Sequence, residues 1–398
     1  MGRKVIRDSI HGDIFLSALE VEVVDTPEFQ RLRRIKQLGL TNLVYPSANH
    51  TRFEHSIGAM HLAGKIADRL NLGERDKSLI CLAALLHDIG HGPLSHTSEE
   101  LLARYLNISH ERISVETVEN SGIATILEKH GIHAGDIADI IAGKKGYMSK
   151  IISSEVDIDR MDYLVRDAHH TGVGYGIIDL HRLINSMELF EGNLVFNSGG
   201  LRAIEGLLVA RFLMIPSVYL HHTSRIADAM FLKATEYAIQ EGIIDFETMI
   251  KFDDIEIQNV FRRSTGYVGE IGERLDLRKL FKKVVVKGWH DISPVLRENV
   301  ISLRADVEKI RKIEREIAEE ANVGEEYILI DIPPEPEYRE MDAMIEKNGK
   351  IVRIEEESPL VSVLKVAQKS YWSMGIYTRG EYVEKVARVA ENIESFFE

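Results

Sequence analysis

The sequence predicts a mainly α-helical chain with a smaller α+β region at its C-terminal end, and three observations carry that prediction. Apolar residues recur at helical spacing through most of the stretch from Pro27 to about residue 240. The run Leu79-Ile80-Cys81-Leu82-Ala83-Ala84-Leu85-Leu86 is apolar on nearly every side, as a helix central to a bundle would be. Beyond 240 the texture changes to short β-rich runs punctuated by turns. The expected division is a helical domain over 1–240 and an α+β region over 241–398 with an oligomerisation or regulatory role.

The first 30 or so residues read as irregular, with turn chemistry at Ile10-His11-Gly12-Asp13. Asp25-Thr26-Pro27-Glu28 starts a helix, with proline in its first turn and an acid beside it, and Gly39 stops it. A second helix runs from about Phe53 to Leu70. A third starts near Glu74 and ends at Gly90-His91-Gly92-Pro93, which cannot continue it. Further helices are expected near 97–106, 110–119, 122–130, 135–142, 155–168, 179–190, 200–240 and 299–322. Val284-Val285-Val286, Tyr327-Ile328-Leu329-Ile330 and Ile351-Val352-Arg353-Ile354 read as strands. Pro333-Pro334-Glu335-Pro336 is a break, and Lys347-Asn348-Gly349-Lys350 a hairpin turn.

Composition narrows the partners. A formal net charge of −14, with 28% charged residues, argues against coating nucleic acid or an anionic membrane. An anionic substrate would have to be met by local positive charge, a metal or a few aimed arginines. The single cysteine, Cys81, lies within the apolar run and reads as core. There is no signal-like N-terminal stretch, and no apolar run approaches the roughly 20 residues of a membrane span. A soluble cytoplasmic protein is expected.

Four segments mix histidine with carboxylate: Arg52-Phe53-Glu54-His55, His87-Asp88-Ile89-Gly90-His91, His110-Glu111 and Asp157-Ile158-Asp159-Arg160-Met161-Asp162-Tyr163. His87 and Asp88 follow directly on the apolar run. A buried carboxylate needs a counter-charge, and a divalent cation would supply it. Alternatively His87 caps the helix and Asp88 starts a turn. With His55 and Asp159 the pair makes a His2Asp2 set, able to hold a catalytic metal with open positions. Such ligands leave manganese, iron, zinc, cobalt, nickel and magnesium open. Asp159 and Tyr163 share a helix face with 155 and 162, either toward a cleft or as a solvated acidic face. Glu111 either serves its helix dipole or hydrogen-bonds His91 and holds it protonated as a general acid.

These segments, in this order, resemble the HD-domain deoxynucleoside triphosphate triphosphohydrolases, a family that includes bacterial dGTPases and the vertebrate SAM-and-HD-domain dNTPase. Matching text also includes Asp8-Ser9-Ile10-His11-Gly12, Asp25–Arg33, Lys36-Gln37-Leu38-Gly39, Gly92-Pro93-Leu94-Ser95-His96 and Leu164-Val165-Arg166-Asp167. The likeness is strong over 5–240, weaker beyond, and does not include a SAM domain. It implies an HD-domain helical bundle, with His55, His87, Asp88 and Asp159 as metal ligands. It implies His91 as the catalytic histidine, Glu111 as its carboxylate partner and His96 on the phosphate side. Arg52, Arg160 and Arg211 fall at triphosphate-contact positions, although a lysine often stands at 160. Gln37, Leu38, Tyr163 and Asp167 match deoxyribose positions, and Tyr219 a sugar- or base-side tyrosine.

The implied reaction is attack of a metal-activated water on the α-phosphorus, with His91 protonating the departing 5′ oxygen, giving deoxynucleoside and tripolyphosphate. The resemblance also implies a dimer or tetramer. Asp25, Gln30, Arg33 and Arg182 match a regulatory nucleotide site of some relatives. Arg7 replaces an asparagine there, and Asn197 and Gly199 replace basic residues. Each lost charged hydrogen bond is worth roughly 1.5–3 kcal/mol, so the same nucleotide activation is not expected. Two other readings stand beside the dNTPase: the same chemistry on an NTP, an NMP or a cyclic nucleotide, and a nucleotide-sensing module without turnover. The basic segment Leu277–Lys283 reads as a solvated face or strand approach, or as a subunit or nucleotide contact.

Overall fold

The computed structural model describes residues 4–106, 108–304, 306–335, 343–390 and 396–397. Helices dominate them, with small sheets, so the chain is mainly α as its periodicity predicts. It forms two compact units. The first comprises Met1–Glu99, Ile108–Met214 and Tyr338–Lys365, and the second Glu100–Asn107, Ile215–Glu337 and Val366–Glu398. That differs from a single cut at 240, and strand pairing is the reason. The Met344–Lys347 strand pairs parallel with Asn193–Asn197, which returns a late hairpin to the first unit.

The first unit opens with an antiparallel hairpin, Lys4–Asp8 against Gly12–Leu16, and the helix Ala18–Val24, where irregular chain is expected. Ile14 and Leu16 are buried while Phe15 is exposed, the alternation of a strand. Gly12, at φ 75°, lies at the expected turn. The helix from Pro27 ends at Arg31, well short of Gly39, and Ile35 is extended. Long-range pairing overrides the helical pattern there. Arg52 donates its backbone N–H to Ile35 O at 2.9 Å and Gln37 to His50 O at 3.0 Å, flanking a Lys36–Thr51 bridge. Strand alternation then puts Gln37, His50 and Arg52 on one face, and all three are buried.

Helices Arg52–Arg69 and Glu74–Leu86 pack together, and every residue from Leu79 to Leu86 is buried, Cys81 included. The helix expected over 179–190 stops at Ser186. Met187–Phe190 instead pairs with Asn193–Asn197 across a turn whose Glu191 and Gly192 take positive φ. The helix expected over 200–240 is interrupted. Leu201–Met214 gives way to a π-helical turn, Ile215–Tyr219, and His222–Gln240 follows; Pro216 lacks the N–H that an α-helix needs.

In the second unit, Ser373–Thr378 lies between Lys282–Gly288 and Leu329–Asp331 in an antiparallel sheet. Trp289, Ile313, Ile317 and Trp372 belong to its core. The helix expected over 299–322 is two, Pro294–Leu303 and Val307–Ala321, the second capped by Asp306. The basic segment leads into the Lys282–Gly288 strand. The expected strand at 351–354 is Lys350–Arg353 of the first unit, and its turn holds Asn348 and Gly349 at φ 53° and 74°, as a two-residue hairpin requires. Pro336 of the expected break lies outside the described residues. Among those residues no single helix is long and apolar enough to cross a membrane.

Two histidines of the first unit make stability pH-dependent. Burial, helped by the Lys65 and His11 charges, pushes His61 down to about 4. Burial, helped by His50 and His169, does the same for His170, also to about 4. Unfolded, each titrates near 6.5, so the unfolded chain binds more protons between those values. Their contribution is therefore present above 6.5 and lost as pH falls toward 4. We expect the thermal midpoint to drop over that window, and less steeply in a His61→Gln/His170→Gln double variant. Equal slopes in the two proteins would refute this assignment.

Candidate metal centre

Three helix ends in the first unit meet at one place. His55 stands in the first turn of Arg52–Arg69, whose capping box joins Thr51 and Glu54. His87 is the C-cap of Glu74–Leu86, with Asp88 next in the chain. Asp159 lies in the first turn of Ile158–Thr171, which Asp157 caps. His55 Nε2 is 3.1 Å from Asp159 Oδ1 and 3.4 Å from Asp88 Oδ2. His87 Nε2 is 3.3 Å from Asp88 Oδ1 and 3.8 Å from Asp159 Oδ1. The four residues expected as ligands are thus gathered, and His87, which does cap its helix, also faces Asp88 and Asp159.

The donor set fits a divalent ion. His55 donates Nδ1–H to Asp162 Oδ2 at 2.9 Å, and His87 donates Nδ1–H to Ala84 O at 2.8 Å. Both leave Nε2 facing the carboxylates, buried and without a hydrogen-bond partner. The electrostatics demand positive charge. Burial alone would depress His55, but the carboxylates of Asp159, Asp162 and Asp88 around it outweigh burial and raise the ring to about 10. Asp88 is held well below the carboxylate range because Arg52, His87 and His91 outweigh its desolvation. A divalent cation between these groups would satisfy the same demand. His55, His87 and Asp159 form one group close enough to share an ion, and Asp88, His91 and His110 another.

The surroundings of His91 differ from expectation. Glu111 is about half exposed, and its nearest ring is His110, at 3.6 Å. His91 is buried with neither ring nitrogen hydrogen-bonded. It stacks on His110 at 3.9 Å, and its Nε2 is 3.4 Å from Asp88 Oδ1. Burial first, then the Arg52 and His110 charges, hold it well below the usual histidine range. The expected Glu111–His91 bond and resting imidazolium are therefore absent. The carboxylate that organises this side is Glu99, which accepts from His110 Nδ1 and, at 2.8 Å, from His96 Nδ1. It raises His110 to about 9 against the effect of burial. The i,i+3 spacing of His96 and Glu99 was the signal that could have found it.

Loop geometry explains the convergence. A Cβ on Gly90 would stand 2.4 Å from His110 O and from Ser114 N, so only glycine lets the loop lie against the His110–Asn120 helix. Ser114 Oγ accepts from Gly90 N–H and donates to His87 O. Arg52 donates to Asp88 Oδ2 at 2.6 Å, to Ser95 Oγ at 3.0 Å and to His96 Nε2 at 3.1 Å.

Tyr163 lies within electrostatic reach of Arg211, Arg160 and Asp159. Arg160 donates to Ser154 O at 2.6 Å and pairs with Asp157. Gln37 is buried with its amide oxygen lacking a hydrogen-bond partner, and Leu38 beside it is half-buried. Asp167 accepts from His50 Nε2 at 2.8 Å, a histidine not nominated from sequence. Tyr219 belongs to the second unit, at the end of the π-helical turn. Of the regulatory candidates, Asp25 is 3.7 Å from Lys4 and Gln30 accepts from Arg33 at 2.9 Å. Arg33 lies over the Phe53 ring, and Arg182 is bound to Gly199 O at 2.8 Å.

A helical bundle with a buried His/Asp cluster at its helix ends defines a metal-binding hydrolase class, and sequence comparison identifies which. Residues 52–167 match the HD domain, and 178–395 match the HD associated region. The chain belongs to the HD-domain phosphohydrolase family, with an HD domain followed by an HD associated region. An uncharacterized protein of Methanocaldococcus jannaschii is 41% identical over 387 residues, covering 96% of this chain and 81% of that one. The human deoxynucleoside triphosphate triphosphohydrolase SAMHD1 is 31% identical over 71% of this chain, which spans 55% of its length. A crystal structure of a phosphohydrolase from Bacteroides thetaiotaomicron superposes with a TM-score of 0.75 at 26% identity, covering 95% of this chain and all of that one.

Proposed function

We propose that the protein is a divalent-metal-dependent triphosphohydrolase that cleaves a deoxynucleoside triphosphate into deoxynucleoside and tripolyphosphate. The observation that carries the reading is the convergence of His55, His87, Asp88 and Asp159, with Arg52 and His91 beside them. The likeness to the human deoxynucleoside triphosphate triphosphohydrolase SAMHD1 supports the choice of substrate.

A divalent ion held by His55, His87, Asp88 and Asp159 would supply an acidified water and neutralise phosphate charge. The chain's own residues do the rest. Arg52, with Arg160 and Arg211, would hold the triphosphate, whose charge is about −4. His91 rests neutral because it is buried beside Arg52 and His110. Bound phosphate opposes those two charges, favours the imidazolium, and so readies His91 to protonate the departing 5′ oxygen. Glu99 keeps His110 charged, so the His91–His110 stack faces phosphate with one fixed cation. Gln37 and Asp167 would take the sugar, and the bulk of Leu38 and Tyr163 would exclude a ribose hydroxyl.

Chromatography of dNTP, NTP and dNMP reactions with Mn2+ tests this. We expect tripolyphosphate and deoxynucleoside from a dNTP, in amounts that vanish when EDTA replaces the metal. Orthophosphate released from a monophosphate, with dNTPs untouched, defeats the substrate assignment.

A further inference from the structure

We propose that Asp162, itself held by His11 of the N-terminal hairpin, is a positioning residue that fixes the His55 imidazole as a metal ligand. The proposal rests on the reading of His55 as one of the residues that hold the ion.

Asp162 is three residues beyond Asp159 on the same helix, but their surroundings differ. The Asp159 side chain keeps 34% of its surface exposed, and that of Asp162 none. The two oxygens of Asp162 collect four hydrogen bonds from three side chains. His11 Nε2 donates to Oδ1 at 2.7 Å and His55 Nδ1 to Oδ2 at 2.9 Å. Arg166 donates Nε to Oδ2 at 2.8 Å and Nη2 to Oδ1 at 3.0 Å. Arg166 also reaches Asp8, at 2.8 Å. Asp8 in turn accepts the backbone N–H of Ile10 and of His11, so it shapes the turn that carries His11. The path closes on itself: Asp8, Arg166, Asp162, His11, and back to Asp8.

The consequence for His55 is chemical. An imidazole whose Nδ1–H is committed to a carboxylate keeps its lone pair on Nε2, and its ring plane is fixed. That Nε2 is the atom that faces Asp88 and Asp159. Asp8, Arg166 and Asp162 alone would make a satisfied buried ion cluster. They do not explain why His55 and His11 both turn a ring nitrogen onto the same carboxylate. The hairpin turn Asp8–Gly12 thereby becomes the far support of a ligand.

The full-length chain, stripped of metal and titrated with Mn2+ by calorimetry, tests this. Asp162→Asn keeps the side-chain volume and is expected to raise the Mn2+ Kd by about 10- to 100-fold. His11→Gln leaves Asp162, Arg166 and Asp8 together and is expected to raise it by a smaller factor, about threefold or more. The visible spectrum of the Co2+-loaded protein should change in both, because the ligand field changes with the aim of His55. A merely structural role would lower the thermal midpoint of the metal-free chain and leave Kd and spectrum unaltered, and that result overturns the proposal. If Asp162→Asn does not fold, His11→Gln decides: a wild-type Kd and spectrum overturn it. A wild-type chain that takes up neither Mn2+ nor Co2+ overturns this inference and the metal-centre reading together. Variants that load as wild type does overturn this inference alone.

Discussion

Asp88→Asn is expected to lower hydrolysis by about 10³-fold or more while leaving the chain folded. Asp88 is the carboxylate on which the site converges. His55, His87 and His91 each bring a ring nitrogen within 3.4 Å of it, and Arg52 donates to it at 2.6 Å. Both groups able to share an ion involve this region, and Asp88 anchors the one containing His91. Asparagine fills the same volume and still accepts from Arg52, so the fold keeps its contacts. What is lost is the negative charge, about 4 kcal/mol of rate when expressed as the barrier change. Alanine would be a poorer probe. It would leave Arg52 buried without its partner, which destabilises by about 3–5 kcal/mol and confounds loss of chemistry with loss of structure. Turnover at saturating Mn2+ and metal content after gel filtration should fall together. Activity within tenfold of wild type would remove Asp88 from the centre of the proposed chemistry.

Gly58→Ala is expected to destabilise the chain by about 3–5 kcal/mol, the reverse of what helix propensity predicts. In the interior of an ordinary helix the exchange stabilises by about 1 kcal/mol. Here a Cβ would stand 2.0 Å from Asp162 Oδ1 and 2.4 Å from Arg166 Nη2. Both partners are buried and neither can withdraw without breaking the pair it makes with the other. Gly64 on the same helix is the control. Its Cβ would meet only Cys81 Sγ, at 3.5 Å, an ordinary contact, so Gly64→Ala should be neutral or slightly stabilising. Urea midpoints of the two variants make the comparison. A Gly58→Ala chain as stable as Gly64→Ala would mean that the helices around Asp162 are not packed as described.

The effects of both substitutions depend on contacts that the two parts of the molecule reveal unequally. His87-Asp88 was legible because ionisable groups directly after eight buried apolar residues need a reason. The Asp159 face was legible because a helix repeats every 3.6 residues, and 159, 162 and 163 fall together. The partner of His91 was not. Residues 110 and 111 point about 100° apart around their helix, and nothing local says which one turns inward. Gly90 decides it by letting the loop press onto that helix. The N-terminal hairpin was missed for a similar reason. Its alternation lasts only a few residues, and His11 is explained by Asp162, 151 residues away.

What the sequence by itself determined about this protein is its helical class, the approximate extents of the helices that carry His55, His87 and Asp159, and the four residues that gather as a candidate metal centre. Each follows from a local pattern: apolar periodicity, a stop signal, or polar groups where burial is expected. Only the tertiary structure decided which carboxylate meets which ring. It also decided that Glu99 rather than Glu111 serves this histidine group, and that a strand at 344–347 belongs with the first unit. Those are contacts between distant segments, and the chemistry of either segment alone is compatible with several partners. Packing selects one of them, because a buried charge must be paired and a buried backbone strand must find an edge.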